Sequence, residues 1–193
     1  VGVPGSFRRT GRRRDFAVPP PGETLLDRLT GEGKRVLAIG KVAEIFAGRG
    51  VTESIPTDSN REGIEAAVEA MRDDGGDLVY VNLRDFDSRF GHRNDVKGFA
   101  RALEELDGLL PALLGTLRLA DLLLMTADHG CDPTDISTEH TREYSPIVVA
   151  GTGVAPGIDL GTRDSLADVS ATVAAHLGVA RLAGRGLLDE PAL

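Results

Sequence analysis

Three of the four histidines in this 193-residue chain stand beside or close to carboxylates. His129 follows Asp128 in the run Thr126-Ala127-Asp128-His129-Gly130, His92 comes shortly after Asp87, and His140 follows Glu139. A carboxylate next to an imidazole offers two donors that suit one divalent cation. An Asp-His pair is also at home in an ordinary turn, so the weight rests on the set and not on any one pair. Three histidines and two aspartates from three separate segments suffice for most of a two-metal site. Such a site fits phosphoryl transfer, in which two cations stabilise the attacking oxygen, the leaving oxygen and the charge on phosphorus. It normally also needs a nucleophile and further ligands. His176 serves as the contrast: it falls in a helical pattern without a close acidic partner and reads as structural.

These residues need a scaffold that brings them together. Leu122-Leu123-Leu124-Met125 is a short continuous apolar run, read as a buried strand whose carboxyl end delivers Asp128 and His129. Asp77 to Leu83 is a second such strand, ending in the segment that carries Asp87 and His92. Between them, apolar residues at three- and four-residue steps predict a long helix from about Asp95 to Leu117, with Pro111 expected to bend or divide it. A strand, a crossover helix and a strand predict that the two strands lie parallel in one sheet, so that Asp87, His92, Asp128 and His129 share one rim.

The remaining pattern is consistent with this. A short helix near Thr24 to Leu29 leads into the strand Lys34 to Gly40, after which Lys41 opens a short helix through Ile45 and Phe46. A lysine at that turn can contact an anion with help from backbone amides. Gly48 to Asn60 reads as a polar connection, and Ser59 or Asn60 can cap a helix running to about Met71. Pro146 to Ala150 reads as a strand, and Ser165 can cap a helix from Leu166 to Leu177. Residues 1 to about 23 read as loop or linker; their cluster of Arg8, Arg9, Arg12, Arg13 and Arg14 is either a solvated basic face or a phosphate clamp.

The net charge of −8 argues against general binding to nucleic acid or to membrane surfaces. No apolar run reaches the length of a membrane span, and nothing resembles a signal peptide. The single cysteine, Cys131, excludes an internal disulfide framework and suits a reducing, cytoplasmic setting. The opening Val1-Gly2-Val3-Pro4-Gly5 has no starter methionine, and we expect the chain to be part of something longer.

In order along the chain, Pro4-Gly5-Ser6-Phe7-Arg8-Arg9-Thr10, Ala38-Ile39-Gly40-Lys41, Gly50-Val51-Thr52-Glu53, Asn82-Leu83-Arg84-Asp85-Phe86-Asp87 with Gly91-His92-Arg93, Thr126 to Pro133, and His140-Thr141-Arg142-Glu143 resemble the phosphopentomutases of the alkaline phosphatase superfamily. The resemblance implies an α/β fold with a mostly parallel sheet flanked by helices, lacking its amino-terminal strands and most of a cap domain. Residues 1–20 would be the returning end of the cap and a linker, and residues 21–193 a partial metal-binding core. It implies interconversion of ribose or deoxyribose 1-phosphate and 5-phosphate, within nucleotide metabolism, through a phosphothreonine and two Mn2+ ions, other divalent cations being possible. Carried over by position, Asp128 and His129 resemble ligands of the metal that activates the threonine, and Asp87, His92 and His140 ligands of the second. Arg9 and Lys41 resemble residues that hold the sugar phosphate; Arg142 is a candidate for phosphate contact. The implied partners are a pentose phosphate substrate, a sugar bisphosphate activator and the amino-terminal half of the same enzyme, which would supply the nucleophile.

The departures are specific. The family's early metal-binding aspartate, its threonine nucleophile and most of its cap have no counterpart here, so the chain alone is expected to be inactive. Glu139 stands where the family usually has aspartate, and the loop Thr134 to Thr138 differs. Other readings of the same residues are a phosphatase or another phosphomutase of the superfamily, or a non-catalytic metal- or phosphate-binding relative.

Overall fold

The computed structural model describes residues 2–7, 17–151 and 154–189. A short hairpin, β1 (Gly2–Val3) and β2 (Ser6–Phe7), turns at Pro4-Gly5. The core follows. Helix α1 (Leu25–Gly31) begins with a capping box: the Thr24 hydroxyl accepts from the Asp27 amide at 3.2 Å, and the Asp27 carboxylate accepts from the Thr24 amide at 2.7 Å. Its apolar face leads into β3 (Val36–Ile39), the centre of a three-stranded parallel sheet. On one edge of β3 lies β4 (Glu53–Ile55), on the other β5 (Leu78–Val81).

Alternation along β3 decides the layering. Val36 and Ala38 face a cluster with Leu26 and Leu29 of α1 and with Ala174 of the last helix, α5 (Ala167–His176). Leu37 and Ile39 face the opposite cluster, built with Ile64, Ala67 and Val68 of α3 (Asn60–Arg72) and Leu113 of α4 (Val96–Leu114). Helices thus cover both faces of the sheet, as the periodic patterns require. Ser59 provides the α3 cap, its side chain accepting from the Glu62 amide. Pro111 does not divide α4, which continues to Leu114. The only intrahelical bond a proline there removes is the one to the Asp107 carbonyl, and Asp107 is exposed, so water can take that acceptor.

One expectation is corrected. The strand β6 (Leu122–Thr126) is not hydrogen-bonded to β5; it pairs antiparallel with β7 (Ile147–Gly151) in a ladder of its own. The sheet is therefore interrupted, and β5 and β6 border one open cavity of about 2740 Å³. Leu123 nevertheless packs against the cluster that includes Val79 and Val81, so the two strands belong to the same body. No described strand fills the position between them. A crossover helix brings two strands into one layer but does not by itself make them neighbours.

Candidate metal centre

The rim at the carboxyl ends of β3, β5 and β6 gathers the residues expected to do chemistry. Beyond β5 the chain enters a five-residue π-helical turn, Phe86–Phe90, and then a short 3-10 turn, Gly91–Arg93. π-helical turns are rare and occur often at functional sites. These two turns carry Asp87 and His92. Beyond β6 come Asp128, His129 and a loop that returns at Thr141, whose amide donates to the Gly130 carbonyl at 3.0 Å. That return sets His140 over His129, with ring centroids 3.7 Å apart.

The geometry centres on one carboxylate oxygen. Nε2 of His140 lies 3.0 Å, and Nε2 of His92 3.1 Å, from Oδ1 of Asp87. One donor atom each from Asp87, His129 and His140 lie within 4.8 Å of one another. All four side chains are about one-third to one-half exposed, open to an entering ion or substrate. The histidines are also oriented as ligands need to be. Nδ1 of His129 is 3.0 Å from the Gly130 carbonyl, and Nδ1 of His92 is bonded to the Thr138 carbonyl. A ring that donates Nδ1–H to a carbonyl keeps its Nε2 lone pair free, the arrangement metal-bound histidines adopt. The donor set and its outer contacts thus fit a divalent cation.

The other candidates sit differently. Asp128 is exposed, its Oδ1 3.6 Å from Nε2 of its neighbour His129. The Tyr80 hydroxyl on β5 is pushed up in pKa first by burial and then by the charge of Asp128. His129 lies with Asp87 and His140, whereas Asp128 meets only its neighbour His129 among these side chains. Lys41 is half-buried at the start of the short helix α2 (Val42–Ile45) and lines the same cavity. Arg142 is exposed and does not line it. Arg9 lies outside the described residues, as does the rest of the arginine cluster.

Two close approaches fix the rim. Gly40 has φ of +77°, and a Cβ there would stand 2.6 Å from the Asn82 carbonyl oxygen. A Cβ on Gly91 would collide with Sγ of Cys131, which is how tightly the β5 and β6 loops abut. The Cys131 thiol is raised in pKa by burial first and then by the charges of Asp87 and Glu143. The loop Thr134 to Thr138 is fastened to the neighbouring turns mainly by its backbone. Asn94 Nδ2 donates to the carbonyls of Asp135 and, at 3.1 Å, Ser137, and the Thr138 carbonyl meets His92. The Glu139 side chain is exposed, and none of the contacts that pin the loop comes from it. Sequence reasoning passed over these carbonyls because any residue supplies one.

The family described as "Metalloenzyme superfamily" matches residues 29–181. The chain is 48% identical over 191 residues to a phosphopentomutase of Desulfitobacterium hafniense, covering 98% of this chain and 49% of that one. It is 51% identical to a phosphopentomutase of Anaeromyxobacter sp. (strain K), with the same coverage. The chain thus spans about half the length of the curated relatives it matches. Among solved structures, a Leishmania mexicana phosphoglycerate mutase studied at low cobalt concentration aligns with a TM-score of 0.64 at 22% identity, over 84% of this chain and 38% of that one. That likeness is one of fold: α/β, with a parallel sheet between helices. No helix among the described residues is long and apolar enough to cross a membrane. On the family match across most of its length, the chain belongs to the metalloenzyme superfamily.

Proposed function

We propose that this chain is the carboxyl-terminal, metal-holding half of a phosphopentomutase, interconverting ribose or deoxyribose 1-phosphate and 5-phosphate in the cytoplasm. The observation that carries the reading is the rim itself: donor atoms of Asp87, His129 and His140, from three separate segments, within 4.8 Å of one another. Identity near 50% to phosphopentomutases over 98% of the chain supports the choice of reaction.

In this reading Asp87, His92 and His140 hold one Mn2+, and Asp128 and His129 the other. When bound, the two cations supply the positive charge that stabilises the phosphoryl group in transfer. Lys41, which lines the cavity, and Arg9, on the returning end of the cap formed by residues 1–20, hold the sugar phosphate. Their work is positioning, which converts an encounter into a reaction of bound neighbours. Arg142, exposed beside the loop, is at most a peripheral contact. The threonine that accepts and returns the phosphoryl group, primed by a sugar bisphosphate, comes from the amino-terminal half. The open cavity between β5 and β6 is where that half would join this one, since both strands have an edge with no partner there among the described residues.

The test is co-expression with the amino-terminal half of the Desulfitobacterium hafniense relative. The substrates are ribose 1-phosphate, 3-phosphoglycerate and a generic phosphomonoester. Interconversion of the pentose phosphates by the pair, and by neither half alone, is expected. Turnover of 3-phosphoglycerate or simple hydrolysis would assign another reaction of the superfamily. A stable pair that binds Mn2+ but turns over none of the three would favour a non-catalytic relative.

A further inference from the structure

Asn60 and Asp85, far apart in sequence, are both only 6% exposed, and they bond reciprocally. The Asp85 amide donates to Oδ1 of Asn60 at 2.9 Å, and the Asn60 amide donates to Oδ2 of Asp85 at 2.9 Å. Asn60 is the first residue of α3, where backbone amides have no partner within the helix, so the carboxylate satisfies a donor that would otherwise be stranded. Arg89, one turn on, lies 3.4 Å from Oδ1 of Asp85 and supplies the opposite charge. Asp85 is also the residue on which the π-helical turn begins, two positions before Asp87.

We propose that Asn60 and Asp85 are positioning residues for Asp87. Three ties hold the start of the π-helical turn. Asp85 is clasped to Asn60, the Phe86 ring packs on Phe99 of α4 with centroids 5.4 Å apart, and the Ser88 amide donates to the Arg84 carbonyl at 2.9 Å. The second tie only orients an apolar ring, and the third lies inside the turn. The clasp is the polar tie to the body of the fold, and it fixes the backbone from which the Asp87 carboxylate reaches His92 and His140. Without the Asn60 side chain the buried Asp85 backbone amide loses its acceptor, while the backbone N–H at position 60 still reaches the carboxylate; the segment then gains by turning that amide toward water, carrying Asp87 with it. Groups that orient metal ligands in this way typically change metal affinity by 10- to 100-fold when removed.

This inference rests on the reading of Asp87 as a metal ligand, so two measurements on the whole chain are needed. In metal-free protein, long-range nitrogen–proton NMR of the histidine rings reports the contacts of His92 and His140 with Asp87. Asn60→Ala should shift both rings and leave His176 unchanged. Separately, Mn2+ titration should show about 10-fold weaker binding in Asn60→Ala and in Asp85→Ala. Asp85→Asn keeps an oxygen for the Asn60 amide and should stay within about 3-fold of the parent, which preserves the test if either alanine variant fails to fold. Thr172→Val is the control for simple destabilisation: Thr172 is 3% exposed, bonds the Leu187 amide far from the rim, and its loss should move neither readout. Unshifted rings in folded Asn60→Ala, or a loss of affinity in Thr172→Val equal to that in Asn60→Ala, would overturn the clasp. Shifted rings with no Mn2+ bound by the parent would overturn the metal reading and leave the clasp standing as a histidine-orienting device.

Discussion

The strands β3 and β6 are nearly alike as sequence, Val-Leu-Ala-Ile against Leu-Leu-Leu-Met-Thr, and unlike in the structure. Every residue of β3 is 3% exposed or less, whereas β6 is only half-buried and its partner β7 exposes Val148 at 55%. β3 has a hydrogen-bonded neighbour on each edge and helices on both faces; β6 has one neighbour and borders the cavity. An apolar run therefore states what a strand can bury, and the surrounding chain decides how much it does bury. The difference matters for the site, because Asp87 and His92 hang from the sheet centred on β3 while Asp128, His129 and His140 hang from the β6–β7 ladder. The rim is shared between a well-supported part and a poorly supported one.

The contrast can be broken or sharpened by experiment. The largest expected effect is association: with the apolar edges of β5 and β6 open, this chain expressed alone should self-associate or precipitate, and a compact monomer on size-exclusion chromatography would break the comparison. Next is packing. Ile39→Ala should cost about 4 kcal/mol by chemical denaturation, and Leu123→Ala only about 2 kcal/mol, because a half-open site loses fewer contacts and collapses more readily. Equal costs would mean that β6 is as well supported as β3. Addition of the amino-terminal half should raise the Leu123 value toward that of Ile39.

Metal binding probes both sides of the rim. His92→Ala and Asp128→Ala should each weaken Mn2+ binding by about 10-fold or more, near 1.4 kcal/mol, and should remove different ions if two bind per chain. Loss of the Asp128-dependent ion alone in the isolated chain would locate the weakness on the ladder side. The smallest effect concerns acid. The Arg49 guanidinium, bonded to Asp27 at 2.8 Å, holds that carboxyl well below its ordinary value, outweighing the effect of burial. Its contribution is complete above about pH 4, the ordinary carboxylate range, and is lost as pH falls toward the lowered folded value. Asp27→Asn should therefore flatten acid unfolding below about pH 4 as followed by circular dichroism, with α1 the element released.

Much of this was legible from residue order, and the failures have physical reasons. The strands at Val36, Leu78 and Leu122 and the helices α1, α3, α4 and α5 follow from apolar period and caps. β4 was read as a polar connection because Glu53-Ser54-Ile55 is short, polar and on an edge, with two of its residues exposed. The hairpin at Gly2–Phe7 had a Pro-Gly signal but only two residues on each side. The separate β6–β7 ladder is not legible, because a strand–helix–strand pattern specifies direction and layer, while hydrogen bonding into one sheet depends on what else occupies the layer. At the site, the spacing of Asp87, His92, Asp128, His129 and His140 was readable since those side chains carry the chemistry. The Asn60–Asp85 clasp was not, because both residues have ordinary roles as cap and turn formers and only the fold brings them together.

The loop from Thr134 to Glu139 has a practical consequence. Its grip on His92 and Asn94 is through carbonyl oxygens, and the side chains of Thr134, Asp135 and Ser137 shape its turns, whereas Ile136 at its crest stands fully in solvent. A fluorophore or spin label placed at Ile136 would sit a few residues from the candidate metal ligands without touching them, and would give a direct readout of cation arrival and of closure by a second half.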